Sequence, residues 1–216
     1  MQYPGRQDRF AEPCLERMDE LADRATEAVL SLTDRPVALF GHSMGAAVAY
    51  EVTLRLEQRH GVRPVHLFVS GHGSPMRQRN RRELHERDDD GMIDGLVELG
   101  GMDPAVLAEP GLVPLVLPSL RADLRLIETY HPATARRVRT PVTAYAGAAD
   151  PDVGAEDFDA WRELTFGGFA TRRFPGGHFY LMDHEAELLA DVVERMSPDT
   201  RIVEDSSRIG GVQGER

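Results

Sequence analysis

A serine, an aspartate and a histidine, each placed just behind an apolar run, are the residues of this chain that could do chemistry together. Ser43 stands in Gly41-His42-Ser43-Met44-Gly45, with Val37-Ala38-Leu39-Phe40 before it and Ala46-Ala47-Val48-Ala49-Tyr50 after it. A strand running through such a pentapeptide into a helix predicts a sharp turn that presents the serine hydroxyl at the top of a sheet. On this reading both glycines remove a Cβ that would block close backbone approach. The N-terminus of the following helix points at the serine. A serine hydroxyl is a weak nucleophile and needs a base, which in turn needs an orienting acid. Asp150 follows the apolar run Pro141-Val142-Thr143-Ala144-Tyr145-Ala146-Gly147, and His178 lies in Pro175-Gly176-Gly177-His178-Phe179-Tyr180-Leu181 behind a short strand pattern at 170–174. Serine, acid and histidine in that order, each at the end of a strand, point to covalent acyl transfer.

Taken singly, Asp150 reads as a turn residue and His178 as a loop histidine capping a helix; the shared order is what joins them to Ser43. Asp152 competes with Asp150 for the acid role. Asp150 is preferred because it stands closer to the strand end, whereas Asp152 suits the cap of the next turn. His42 flanks the serine, but a neighbour on so tight a turn points away from the hydroxyl, and it reads as packing.

The elements that must hold these residues alternate. Patterning predicts a helix over 12–32, a strand over 36–40, a helix over 45–59 and a strand over 64–70. After an insert come the strand at 141–147, a helix over 155–165, a strand over 169–174 and a final helix over 183–196. Strands alternating with helices imply a mostly parallel sheet flanked by helices. In the first helix Leu15, Met18, Leu21, Ala22, Ala25 and Val29 recur at helical spacing and form one core-facing stripe. The insert, about 72–131, shows no strand pattern. It predicts short helical pieces at 91–99, 103–108 and 111–130, broken by Gly100-Gly101, Pro110 and Pro118. Such a helical lid is expected to present Met92, Ile93, Leu96, Val97 and Leu99 to an acyl chain. From 197 to 216 the chain carries few apolar residues and reads as a disordered tail.

With these residues in view, the chain resembles the type II (editing) thioesterases of polyketide and nonribosomal peptide synthetases. The resemblance runs through Tyr3-Pro4-Gly5-Arg6-Gln7-Asp8-Arg9, the elbow at Ser43 and Ser70-Gly71-His72-Gly73-Ser74-Pro75. It continues through the segment 120–130 and Gly176-Gly177-His178-Phe179-Tyr180-Leu181. It implies an α/β-hydrolase fold with a helical lid, spanning 1–196, that acts on acyl thioesters of phosphopantetheine borne by carrier proteins. It implies Ser43 as nucleophile, Asp150 as orienting acid, His178 as general base and the Met44 backbone N–H as one oxyanion donor. Family members carry a further N-terminal stretch, on the order of 40–50 residues, with the first strands and a loop that supplies the second oxyanion donor. This chain starts at Met1-Gln2-Tyr3-Pro4-Gly5, so the resemblance implies that those strands lie outside it. The alternatives are a catalytically impaired homologue acting as a carrier-binding module, a generic carboxylesterase, or an acyltransferase. Asp150 and the Gly-Gly-His-Phe loop speak against the last.

Composition sets the remaining bounds. The chain has 216 residues, a net charge of −11 and no lysine, which argues against nonspecific nucleic-acid binding. No apolar run approaches the ~20 residues of a membrane-spanning helix, and no signal peptide is evident. A single cysteine, Cys14, excludes an internal disulfide and fits a reducing, cytoplasmic setting. No Cys-His cluster has ligand spacing, so neither a metal nor a protein-bound cofactor is expected. Arg77, Arg79, Arg81 and Arg82 form the basic run best suited to an acidic carrier partner, although a solvated lid surface explains them equally well.

Overall fold

The computed structural model describes residues 1–77, 82–102, 105–106, 109 and 111–197. Strands β1 (Ala38–His42), β2 (His66–Ser70), β3 (Val142–Gly147) and β4 (Phe169–Phe174) form one sheet in that spatial order. All three pairings are parallel, with Gly41 opposite Val69, Val69 opposite Ala144 and Gly147 opposite Phe174. β2 and β3 are buried along their whole length, as the interior strands of a parallel sheet require.

The chain divides into two compact units, 1–180 and 181–216. In the first, α1 (Met18–Leu30) and α2 (Met44–His60) precede α3 (Asp89–Glu98) and α4 (Val113–Glu128) of the insert, and the short α5 (Ala155–Asp159) follows β3. The described part of the second unit contains α6 (Glu185–Met196), which carries an Asp191–Arg195 pair one turn apart.

Two apolar clusters build the first unit. Leu54, Val69, Ala144, Phe158 and Trp161 belong to one, which joins the sheet to α2 and α5. The stripe Met18, Leu21, Ala22, Ala25 and Val29 of α1 packs with Val48, Val52 and Leu56 of α2 in the other. The predicted first helix is shortened at its start: α1 begins at Met18, not residue 12. Pro13 disfavours helical backbone at the residue before it, and Leu15 reaches the core from an unwound segment.

Among the described residues of the insert, α3 and α4 match the helical pieces predicted over 91–99 and 111–130, but their apolar residues first satisfy one another. Leu84, Met92, Leu96, Met102 and Leu117 form a cluster within the insert itself. α4 runs on through Pro118 without a break. The ring removes one backbone donor, while Leu117, Ala122 and Leu126 remain buried on either side of it and hold the helix. Of the piece predicted over 103–108, residues 103, 104, 107 and 108 lie outside the described residues, as do Arg79, Arg81 and all of 198–216.

Candidate active site

Each of the three chemistry-bearing residues sits just past the carboxyl end of a strand, where ligands of open α/β sheets are met. β1 ends at His42, Ser43 follows with φ 54° and ψ −124°, and α2 starts at Met44. A positive φ is strained for a side chain larger than hydrogen, and the surroundings hold it. The Ser43 N–H donates to the Ser70 carbonyl at 2.8 Å, and the Ala46 N–H donates to the Ser43 carbonyl at 2.9 Å. A Cβ at Gly41 would lie 1.9 Å from the Gly45 carbonyl oxygen, so that glycine is required. Gly45 differs from the sequence expectation, for a Cβ there meets nothing within 4 Å. As the first residue of α2, Met44 has no acceptor within the helix for its N–H, and the positive end of the helix dipole lies there.

The acid and histidine loops are bound backbone to backbone. The Ala148 N–H donates to the Phe174 carbonyl at 2.8 Å, and the Ala149 N–H donates to the Gly176 carbonyl at 2.9 Å. Gly147 permits this approach, since a Cβ there would stand 2.1 Å from the Gly177 carbonyl oxygen. The two loops bring the Asp150 Oδ2 to 2.8 Å from the His178 Nδ1, with both residues 8% exposed. The other carboxylate oxygen accepts the Asp152 backbone N–H at 3.0 Å. Asp152 itself is held by the Arg82 guanidinium at 3.0 Å, which leaves Asp150 as the partner of the histidine.

Ser43 and His178 line one cavity of about 680 Å³. Its wall is mainly apolar, with Met44, Val48, Leu96, Leu99, Leu124 and Phe179 among the lining residues. Asp123 also lines it and is gripped by Arg6 through two hydrogen bonds of 2.7 and 2.8 Å. Of the insert residues expected to face an acyl chain, Leu96 and Leu99 border this cavity. Met92 does not: it is 0% exposed inside the insert's own cluster, against Leu84 and Leu117. Ile93 packs against that same cluster, and Val97 is exposed at the surface.

Other charges are engaged within the chain. Arg77 pairs with Glu163 at 2.8 Å, and Arg82 reaches Glu98 of α3 at 2.9 Å as well as Asp152. Sequence reasoning missed two polar residues behind the site, Ser70 and Tyr180, and with them the tie they give His42. His42 Nδ1 lies 2.9 Å from Ser70 Oγ, which in turn lies 2.7 Å from the Tyr180 hydroxyl. Burial pushes the His42 imidazole down to about 4 and the neighbouring His72 down to about 4 as well. Both rings are therefore neutral at pH 7. The placement of Ser70 at the end of a buried strand and beside Gly71 was the available signal.

A family model described as the thioesterase domain matches residues 1–197. The chain belongs to the thioesterase domain family. It is 42% identical over 210 residues to the thioesterase PikA5 of Streptomyces venezuelae, covering 94% of this chain and 74% of that protein. It is likewise 42% identical over 199 residues to a probable cadicidin biosynthesis thioesterase of Streptomyces griseus, of which it spans 55%. Among solved structures, the type II thioesterase BorB from the borrelidin biosynthetic cluster superposes with a TM-score of 0.83 at 40% identity. That match covers 91% of this chain and 80% of BorB. The thioesterase fold found here is thus the α/β-hydrolase fold, its parallel sheet flanked by helices. Among the described residues no helix is long and apolar enough to cross a membrane.

Proposed function

We propose that this chain hydrolyses acyl thioesters carried on the phosphopantetheine arm of acyl or peptidyl carrier proteins, clearing stalled or aberrant acyl groups from a synthase. The observation that carries this reading is the Asp150–His178 hydrogen bond of 2.8 Å beside the cavity that Ser43 also lines. Relatives named as a biosynthesis thioesterase and as a type II thioesterase of a biosynthetic cluster support the substrate class.

With Nδ1 of His178 engaged by Asp150, Nε2 is the nitrogen left to take the Ser43 proton. Ser43 Oγ attacks the thioester carbonyl carbon, and the Met44 N–H stabilises the oxyanion that forms. The C–S bond breaks, and the pantetheine thiol leaves with the proton from His178. Water then gives a proton to His178 Nε2 and attacks the acyl-Ser43 ester. The free acid departs and Ser43 recovers its hydroxyl proton. The Asp150 carboxylate holds the imidazole in the needed tautomer and offsets its positive charge in both halves. Chemistry of this kind calls on no metal or bound cofactor, since the pantetheine belongs to the substrate. The apolar wall formed by Val48, Leu96, Leu99 and Leu124 suits an acyl chain.

The test is release of free acid from an acyl-loaded carrier protein by this chain beside Ser43→Ala. Release by the parent chain that vanishes in the variant is expected. Equal release by both would overturn the role of Ser43, and none from a folded parent chain would leave the carrier-binding reading.

A further inference from the structure

Ser70, the last residue of β2, touches both halves of the site. Its carbonyl accepts the Ser43 N–H at 2.8 Å, which fixes the elbow. Its hydroxyl lies between His42 Nδ1 at 2.9 Å and the Tyr180 hydroxyl at 2.7 Å, two residues beyond His178. Ser70 is 0% exposed, so both contacts are shielded from water. A chain of hydrogen bonds from Tyr180 through Ser70 to His42, or in the reverse direction, satisfies each bond with either histidine tautomer.

The His42 ring occupies the space beside the base. Its centroid lies 5.0 Å from that of His178 at an interplanar angle of 49°, and 5.5 Å from that of Phe179. Phe179 in turn meets the His178 ring edge-on at 4.9 Å. Tyr180 is stacked on Phe174, the last residue of β4, at 5.1 Å, so the far end of the chain of bonds is anchored in the sheet. Gly71 makes room for the histidine pair: at φ +59°, a Cβ there would fall 2.5 Å from His42 Cε1 and 3.4 Å from His178 Cε1. Space, ring contact and hydrogen bonding therefore converge on the His42 ring, which lies beside His178.

We propose that His42 is a positioning residue for the base, its ring tied through Ser70 to Tyr180 so that it sets where His178 stands relative to Ser43. This goes beyond the roles proposed above for Ser43 and His178, and rests on them. The groups around the ring agree with a neutral seat. Burial is the first cause of the depressed His42 pKa, His178 and His72 lower it further, and Asp150 opposes them. A neutral ring leaves the charge that develops during the reaction to His178 alone. Tyr180, raised to about 12 chiefly by burial, remains a phenol able to donate or accept.

Two substitutions separate the ring from its hydrogen bond. His42→Phe keeps a flat ring and loses the bond to Ser70, while His42→Asn places a polar nitrogen or oxygen near the Nδ1 position and loses the ring. Ser70→Ala and Tyr180→Phe cut the same chain farther along. Each variant is assayed with a hexanoyl-N-acetylcysteamine thioester and for fluorophosphonate labelling of Ser43, with Ser43→Ala as the control. Thermal unfolding and the downfield proton resonance of the His178–Asp150 hydrogen bond are recorded alongside.

Misplacement of a catalytic group by about 1 Å costs about 10²-fold, so kcat is expected to fall roughly ten- to hundredfold in His42→Phe with KM nearly unchanged. The downfield proton should shift or broaden, and Tyr180→Phe added to His42→Phe should cost little more. His42→Asn should recover part of the loss if the bond matters more than the ring. Folded His42 variants with parental kcat and an unmoved downfield proton would overturn the proposal. So would a loss of kcat that merely follows the loss of thermal stability with that proton unmoved. Failure of the parent chain itself to label at Ser43 would instead strike the proposed reaction, and the proton resonance would still report whether His42 seats His178.

Discussion

Asp152 braces Asp150: its backbone N–H donates to Oδ1 at 3.0 Å, while Oδ2 of the same carboxylate meets His178 Nδ1 at 2.8 Å. The two aspartates, only two residues apart, thus have different work. Asp150 is buried and faces the histidine, and the side chain of Asp152 is turned to Arg82. Asp150→Asn should lower kcat by about 10²–10⁴, because an amide neither fixes the tautomer nor offsets the imidazolium. Asp152→Asn keeps the backbone donor and should stay within about fivefold, since its partly exposed pair with Arg82 is worth at most about 1 kcal/mol. Steady-state kinetics of both variants on one acyl thioester decide the matter; equal losses would show that the loop acts as a unit.

The two glycines of the elbow should behave oppositely. Gly41→Ala sets a methyl 1.9 Å from the Gly45 carbonyl oxygen, a backbone atom that cannot rotate away. Activity should fall below about 1% of the parent, by distortion of the site. Gly45→Ala adds a methyl in open space within the first turn of α2. It should retain activity and raise stability by up to about 1 kcal/mol, as alanine is the better helix former. Activity assays paired with thermal melts of the two variants check both halves.

What the sequence exposed and what it hid follow from the range of the forces involved. The elbow, the order of Ser43, Asp150 and His178, and all four strands are local patterns, and the strand ends shift by only a residue or two. The start of α1 was misplaced because Leu15 is apolar and in phase with the helix, yet it packs from backbone outside the helix. In the insert the helices at 91–99 and 111–130 are legible from the sequence, but the facing of their apolar residues is not. Met92 and Leu96 share one face of α3, and which of them is walled off depends on Leu84 and Leu117, residues remote from any repeat in α3. His42 was read correctly as packed. Its bond to Ser70 spans 28 residues, and no periodicity encodes such a contact.

Acid should destabilise the fold before carboxylate protonation is complete. In the unfolded chain His42 and His72 titrate near their ordinary value of 6.5, and in the fold each is held down to about 4, chiefly by burial. Between these values the unfolded state binds more protons, so stability rises with pH and is lost as pH falls. The window is therefore about pH 6.5 down to pH 4, and above it the two histidines contribute no slope. The loss should amount to a few kcal/mol across the window. Chemical denaturation at pH 7, 6, 5 and 4 measures it. His72→Gln should flatten part of the slope, and an unchanged slope would remove His72 as a cause.

Glu51 carries a second polar centre, far less visible than the first. It lies within α2 and is 2% exposed, yet its carboxylate is well partnered. Its carboxylate accepts from the Tyr130 hydroxyl at 2.6 Å, from Arg136 at 3.0 Å and from Arg55 one turn along the helix. Tyr130 follows α4, so this carboxylate fastens the end of the insert to α2, the helix that follows Ser43. Burial and then the Glu51 charge push the Tyr130 hydroxyl upward, which keeps it a donor at any working pH. Glu51→Ala strips three donors of their carboxylate acceptor and leaves buried Arg55 with the residue-51 carbonyl at Nη1 and with Asp23 and Asp19 at its outer side. Breaking a buried pair from one side costs about 3–5 kcal/mol, equivalent here to a melting point lower by roughly 10 °C. Tyr130→Phe removes a single hydrogen bond and should cost about 1–2 kcal/mol. Because both changes strike one network, the double variant should be little worse than Glu51→Ala alone. Additive losses in thermal melts would instead mean that Tyr130 draws its stability from the apolar cluster around it rather than from Glu51.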